Sequence, residues 1–161
     1  MHRRFFTIAI LSLLAGGCAS TKATFQALIT NNTDQPISAG LVKEAPRQVV
    51  ARSGRPAVEE GWAAPEDVAI AAPQLTGRPW GVVIAPGKSA VIGPQTGDFP
   101  LGLLASLRIY IGDHTVDELL AISRDDPDRL DIFLLPGKTV YVITKRDGKV
   151  IATETAHQPP P

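Results

Sequence analysis

The chain is poor in the side chains that most chemistry needs. Its 161 residues include one cysteine, one methionine and three histidines. A single thiol, Cys18, excludes an internal disulfide and any multi-thiolate metal site. No charge sign dominates, with 16 Lys and Arg against 16 Asp and Glu, so the chain offers no broad field for gripping nucleic acid. No apolar run reaches the roughly 20 residues that span a bilayer as a helix. There is no Gly-x-Ser-x-Gly elbow and no glycine loop with phosphate-binding spacing. Ser-His-acid catalysis would depend on His114, because His2 and His157 lie near the chain ends.

What is present begins at the front. Arg3 and Arg4 form a basic head, Phe5 to Ala15 an apolar run, and Gly16-Gly17 leads to Cys18. This is the layout of a bacterial export signal. The Ala15-Gly-Gly-Cys18 ending resembles a lipobox, the processing site of bacterial lipoproteins, with Ala15 where Leu is commoner. The resemblance covers residues 1–20. It implies a diacylglyceryl thioether on Cys18, cleavage before Cys18 and acylation of the new amine. An odd cysteine in an exported chain needs a role, and lipidation supplies one. Several acyl chains anchor stably, since each buried methylene contributes about 0.8 kcal/mol. Ala19 in place of Asp implies delivery to the outer membrane.

Processing would remove Arg3 and Arg4, leaving 14 Lys and Arg against 16 Asp and Glu over 144 residues. That length suits one domain with a real core. The expected division is a signal peptide at 1–17, a lipidated N-terminus and short linker at 18–23, a β-sandwich at 24–155 and a disordered tail at 156–161. The tail reads as loose because His157-Gln-Pro-Pro-Pro161 has nothing to pack.

The 14 Gly and 14 Pro punctuate a series of short alternating segments. Phe25, Ala27 and Ile29 alternate with polar neighbours, and Ile37, Ala39 and Leu41 repeat the pattern. Asn31 to Pro36 between them is dense in turn formers, which predicts a hairpin. This opening resembles that of many immunoglobulin-like extracytoplasmic domains, a generic likeness from which no function is carried. Val49 to Arg52 is a possible short strand. Pro65-Glu-Asp ahead of Val68 to Ala72 predicts a helix of one or two turns, stopped by Pro73. Leu107, Ile109 and Ile111 should face inward, with Arg108 and Tyr110 outward. Thr115-Val-Asp-Glu118 matches a capping box. Asp147-Gly148 suits a type I′ hairpin turn.

Two Pro-Gly-Lys turns, at 86–88 and 136–138, sit 50 positions apart in similar surroundings. Each reads as a hairpin, and shared turn chemistry accounts for the match as well as a duplication does. The count of seven to nine strands with one or two short helices gives an all-β fold, a single antiparallel sandwich of immunoglobulin-like or transthyretin-like type.

Candidate sites are sparse. Asp113, His114, Asp117 and Glu118 form the densest group of possible metal ligands, but a turn and a helix cap explain them better. Asp125, Asp126, Asp128 and Asp131 lack the calcium-loop register. The long excursion between Glu44 and Arg78 carries Arg55, Trp62 and Arg78, with Trp80 beyond it. These types suit a contact surface, while burial is the commoner fate of Trp in a small sandwich. A glycan platform would have to use Trp62, Trp80 or Tyr110.

The expectation is a non-catalytic, lipid-anchored envelope module without a cofactor. It would attach to the membrane through Cys18 and bind or position another envelope component, with no nucleic acid involved. Outer-membrane secretion lipoproteins with transthyretin-like sandwiches resemble it in size and layout. The rival expectation is a small envelope enzyme or metal-binding protein built on His114 with Asp113, Asp117 and Glu118.

Overall fold

The computed structural model describes residues 20–44, 59–100 and 102–161. The leader, Cys18, Arg55 and the expected strand at 49–52 therefore lie outside the described residues. Among the described residues, eight strands form two four-stranded sheets packed face to face, an all-β sandwich.

The first sheet is built around β1 (Thr21–Asn31). Its alternation buries Phe25, Ala27 and Ile29 against the second sheet. β4 (Ser89–Phe99) pairs antiparallel along one edge of β1. β7 (Gly137–Arg146) pairs along the other edge, in parallel. β8 (Lys149–Gln158) completes the order β4-β1-β7-β8. The second sheet has the order β3-β2-β5-β6, from β2 (Ile37–Glu44), β3 (Val82–Ile84), β5 (Leu104–Ile111) and β6 (Arg129–Phe133). Pro94 is tolerated inside β4 because β4 is an edge strand, where a missing N–H breaks no ladder.

Three expected hairpins are instead crossings between sheets. β1 and β2 lie in different sheets, as do β3 and β4, and β6 and β7. Asn31 shows why the first corner bends across. Its buried side chain donates to the Gln35 and Ile84 carbonyls, both at 2.8 Å, and accepts from Thr33 N–H at 2.9 Å. Its own carbonyl accepts from Gly87 N–H at 2.7 Å. One residue, through its side chain and its backbone carbonyl, thus holds the 31–36 corner and the Pro86-Gly87 corner together across the sandwich. A local hairpin would leave those groups unpaired and would send Ile37, Ala39 and Leu41 away from β1 instead of facing it. The Asp147-Gly148 turn does form a hairpin, with φ of 52° and 75° and Arg146 paired to Lys149.

Both ends of the domain differ from expectation. β1 starts at Thr21, three residues before Thr24, because Thr21 and Lys22 find partners in Phe99 and Asp98. At the other end, residues 156–158 are not loose. β8 continues to Gln158 opposite Lys138, and His157 Nδ1 lies 2.8 Å from Thr139 Oγ1.

Two helices cover the outer face of the second sheet. α1 (Pro65–Ala71) begins with Pro65 at its first position. Ala64 lacks a capping oxygen, but the Asp67 carboxylate accepts from Ala64 N–H at 3.1 Å. α2 (Val116–Leu120) has the full capping box: Glu118 accepts from Thr115 N–H at 2.8 Å, and Thr115 Oγ1 accepts from Glu118 N–H at 3.5 Å. The two helices enclose a second apolar cluster of Val42, Ala64, Trp80, Tyr110, Val116 and Leu119. The molecule therefore has three layers, and Arg108 and Tyr110 point away from the central core without reaching solvent.

Candidate functional site

The side chains singled out by sequence are not brought together. Trp62 is buried in the central core, edge-on to Phe25 at 5.7 Å and to Phe99 at 5.4 Å. Trp80 is buried in the outer layer, edge-on to Tyr110 at 5.6 Å, with its indole N–H on the Ala63 carbonyl at 3.0 Å. A Cβ at Gly40 would lie 2.8 Å from the Trp80 ring, so the bare backbone of β2 makes room for the indole. Burial corrects the expectation that Trp62 and Trp80 serve as contact residues, and the same holds for Tyr110 in a glycan platform. Arg78 keeps an exposed side chain on a fixed backbone, where its carbonyl accepts from Val116 N–H at 3.0 Å.

The Asp113 to Glu118 group is committed to local structure. His114 Nε2 lies 2.8 Å from the Ile111 carbonyl, and Glu118 is spent on the Thr115 cap. That backbone bond holds the Glu118 carboxyl below its ordinary range. Asp113 and Asp117 are exposed. Among the described residues, no three His, Cys, Asp or Glu side chains converge as a metal-binding group. Asp128 is bridged by Lys145 at 2.7 Å, and Asp131 is taken by arginines, so the acidic loop is not a joint cage.

The densest polar constellation is one that sequence reading missed. It lies on the outer face of the second sheet, at the margin of α1. Arg108, at the centre of β5, donates Nε to Asp131 Oδ1 at 2.7 Å and Nη1 to Glu66 Oε2 at 3.1 Å. Its Nη2 donates to Glu44 Oε1. Arg129 Nε donates to the other Asp131 oxygen at 3.0 Å, and Arg124 Nη2 to the other Glu44 oxygen at 3.2 Å. Three arginines thus face three carboxylates. Side-chain exposure is 6% for Arg108, 9% for Glu44 and 8% for Asp131, against 40% for Arg124. Burial opposes the Arg108 charge, yet the Asp131 carboxylate and the other charges around it outweigh that cost. The guanidinium is held above even its ordinary range.

This arrangement pairs three arginines with three carboxylates, and its exposed edge at Arg124 opens on a surface cavity that Arg129 and Lys149 also line. What it does is tie Glu44 at the end of β2, Glu66 in the first turn of α1 and the 124–131 segment to one guanidinium. Nearby, Tyr110 has a buried hydroxyl with no hydrogen-bond partner among the described residues. Burial pushes this phenol above the usual tyrosine range. The sequence signal for the cluster was a charged residue inside Leu107-Arg-Ile-Tyr-Ile111, immediately before a capped helix able to cover it. The chain matches no protein-family model and no curated protein.

Proposed function

We propose that the protein is a lipid-anchored, non-catalytic β-sandwich module of the bacterial envelope, held at the outer membrane through Cys18, which binds or positions another envelope component. The observation that carries this reading is the join between the only thiol and the fold. Thr21, three residues after Cys18, is already paired with Phe99 in a strand. Three residue steps span at most about 11 Å. An acylated Cys18 would therefore hold the sandwich against the bilayer, with no stalk between.

The buried ionic cluster and the capped His114 segment support a binding module over an enzyme, because most of their polar side chains are engaged in holding the layers together. The segment around Arg78 is the part of the excursion that combines an exposed arginine with a backbone pinned to α2. Glu59 and Glu60 are the other described charged positions of the excursion to alter. The test has two arms. Cys18→Ser should abolish incorporation of labelled fatty acid and leave the precursor unprocessed in the full chain. Charge reversal at Arg78 and Glu60 should lower recovery of a co-purifying envelope protein without lowering the melting temperature. Normal processing and membrane retention of Cys18→Ser would overturn the anchoring. Unchanged recovery after the reversals would move the contact elsewhere on the surface.

A further inference from the structure

Strand register places every described element relative to the two ends of the sandwich. At one end lie the start of β1, the ends of β2, β4, β6 and β8, and the starts of β5 and β7. The pairs Thr21 with Phe99, Glu44 with Leu104, and Lys138 with Gln158 fix this arrangement. Leu134 N–H donates to the Ala105 carbonyl at 2.9 Å, which brings Leu135 alongside Leu104. Ala105 and Leu134 point into the core. Their neighbours Leu104, Phe133 and Leu135 therefore point out, and they are 42%, 55% and 69% exposed.

Three large apolar side chains thus share one exposed corner at the end where the chain enters. The far end is made of the segments 32–36, 85–88, 112–115 and 147–148. The exposed apolar residues nearest to it, Val83 and Ile151, are 40% and 38% exposed and sit on separate sheets, so they form no comparable group. Scattered exposed apolar residues need no explanation, but a group of them beside the point of attachment does.

We infer that the corner formed by Leu104, Phe133 and Leu135 is a membrane-contact surface that seats in the lipid headgroup region beside the acylated Cys18. The inference rests on the anchoring proposed above. The short tether makes the two events one: with at most about 11 Å between Cys18 and Thr21, this end of the domain stays within reach of the headgroups. Apolar side chains held there enter the interface without a separate association cost, as a second attachment signal does for a singly anchored chain. The anchor would then fix orientation as well as location, pointing the far end away from the bilayer.

A unique thiol tests this, because acylation blocks Cys18. The full-length Leu135→Cys chain, purified from membranes and labelled with an environment-sensitive fluorophore, would be reconstituted into phosphatidylethanolamine–phosphatidylglycerol vesicles. Lys88→Cys serves as the far-end control and Phe133→Cys as a second report on the corner. The expected result is a blue-shifted emission and loss of quenching by iodide at 135 and 133, with neither at 88. Equal water exposure at all three positions, with Cys18 still acylated, overturns the contact surface and leaves the anchoring standing. A Cys18 thiol that labels, in a chain recovered from the soluble fraction, overturns both. Oxidative pairing of Leu135→Cys between copies in place of the emission shift assigns the corner to a second copy and also overturns the inference.

Discussion

The second sheet has two buried faces built on different principles. Its inner face carries Ile37, Ala39, Leu41, Leu107, Ile109 and Ile111, which pack on the first sheet with no polar group among them. Its outer face carries Val42, Glu44, Arg108 and Tyr110 beneath two short helices. The inner face needs only alternation and bulk, which any strand with the right period supplies. The outer face needs partners from four elements, and α1 and α2, of seven and five residues, are too short to be stable alone. The helices hold because Trp80 and the Arg108 cluster hold them. The same strand thus carries a face that would tolerate exchange of one aliphatic residue for another, and a face where each residue answers to a named partner.

The largest effect that would test this contrast is at Arg108. Arg108→Met should destabilise by about 3–5 kcal/mol in chemical denaturation, because buried Glu44 and Asp131 each lose an arginine partner and keep only Arg124 and Arg129. Combining it with Glu44→Met, Asp131→Leu and Arg129→Met should recover most of the loss, since an apolar replacement that also removes buried Arg129 leaves no stranded charge there. Leu107→Ala, one residue away on the inner face, should cost about 2–5 kcal/mol, and no second substitution at a distance should rescue it. If the fourfold replacement is no better than Arg108→Met, the two faces do not differ as described.

A smaller effect is expected at Gly40. Gly40→Val would drive a side chain into the Trp80 ring and should cost about 1–3 kcal/mol, with a change in near-ultraviolet circular dichroism from a displaced indole. Tyr110→Phe should go the other way and stabilise by about 1 kcal/mol, because it removes a buried hydroxyl without a partner. Tyr110 also carries a pH signature. Its folded pKa lies above the unfolded value near 10, so the folded state keeps a proton that the unfolded state releases. Its contribution is intact below about pH 10 and is lost as pH rises from there through the folded pKa. Denaturation midpoints measured up the alkaline limb should fall less steeply in Tyr110→Phe.

The smallest effect belongs to the α2 cap. Thr115→Ala should cost about 1 kcal/mol. The Glu118 pKa is lowered, so its help to the cap is present above the usual carboxylate range and fades as pH falls through the folded value. In Glu118→Gln that part of the acid dependence should disappear.

The inner face was legible from sequence because its information is local. Phe25, Ala27 and Ile29, and Leu107, Ile109 and Ile111, announce their side by spacing alone. So did the Thr115 box and the Asp147-Gly148 turn, whose chemistry spans four residues. Sheet membership was not legible. The Asn31 to Pro36 and the two Pro-Gly-Lys stretches have the composition of hairpin turns, and what joins the first two corners, the reach of Asn31 to Ile84, spans 53 residues. The ionic cluster was hidden for the same reason. Arg108 meets Asp131 and Glu44 across 23 and 64 residues, so alternation could say that it faced away from the core but not that something covered it. The two Trp residues were read with both fates open, and the deciding fact, the bare backbone at Gly40 and the aromatic pocket of Phe25 and Phe99, is again tertiary.

The placement of β1 has a mechanical side. The strand nearest the N-terminus is an interior strand of its sheet, bonded to β4 on one edge and to β7 on the other. A pull on the N-terminus along the strand axis would therefore meet two ladders at once. It would load their hydrogen bonds in shear, where many must fail together, rather than peel them one by one as at a free edge. A domain tethered at that point to a moving surface carries the tension on the part of its fold best placed to resist it.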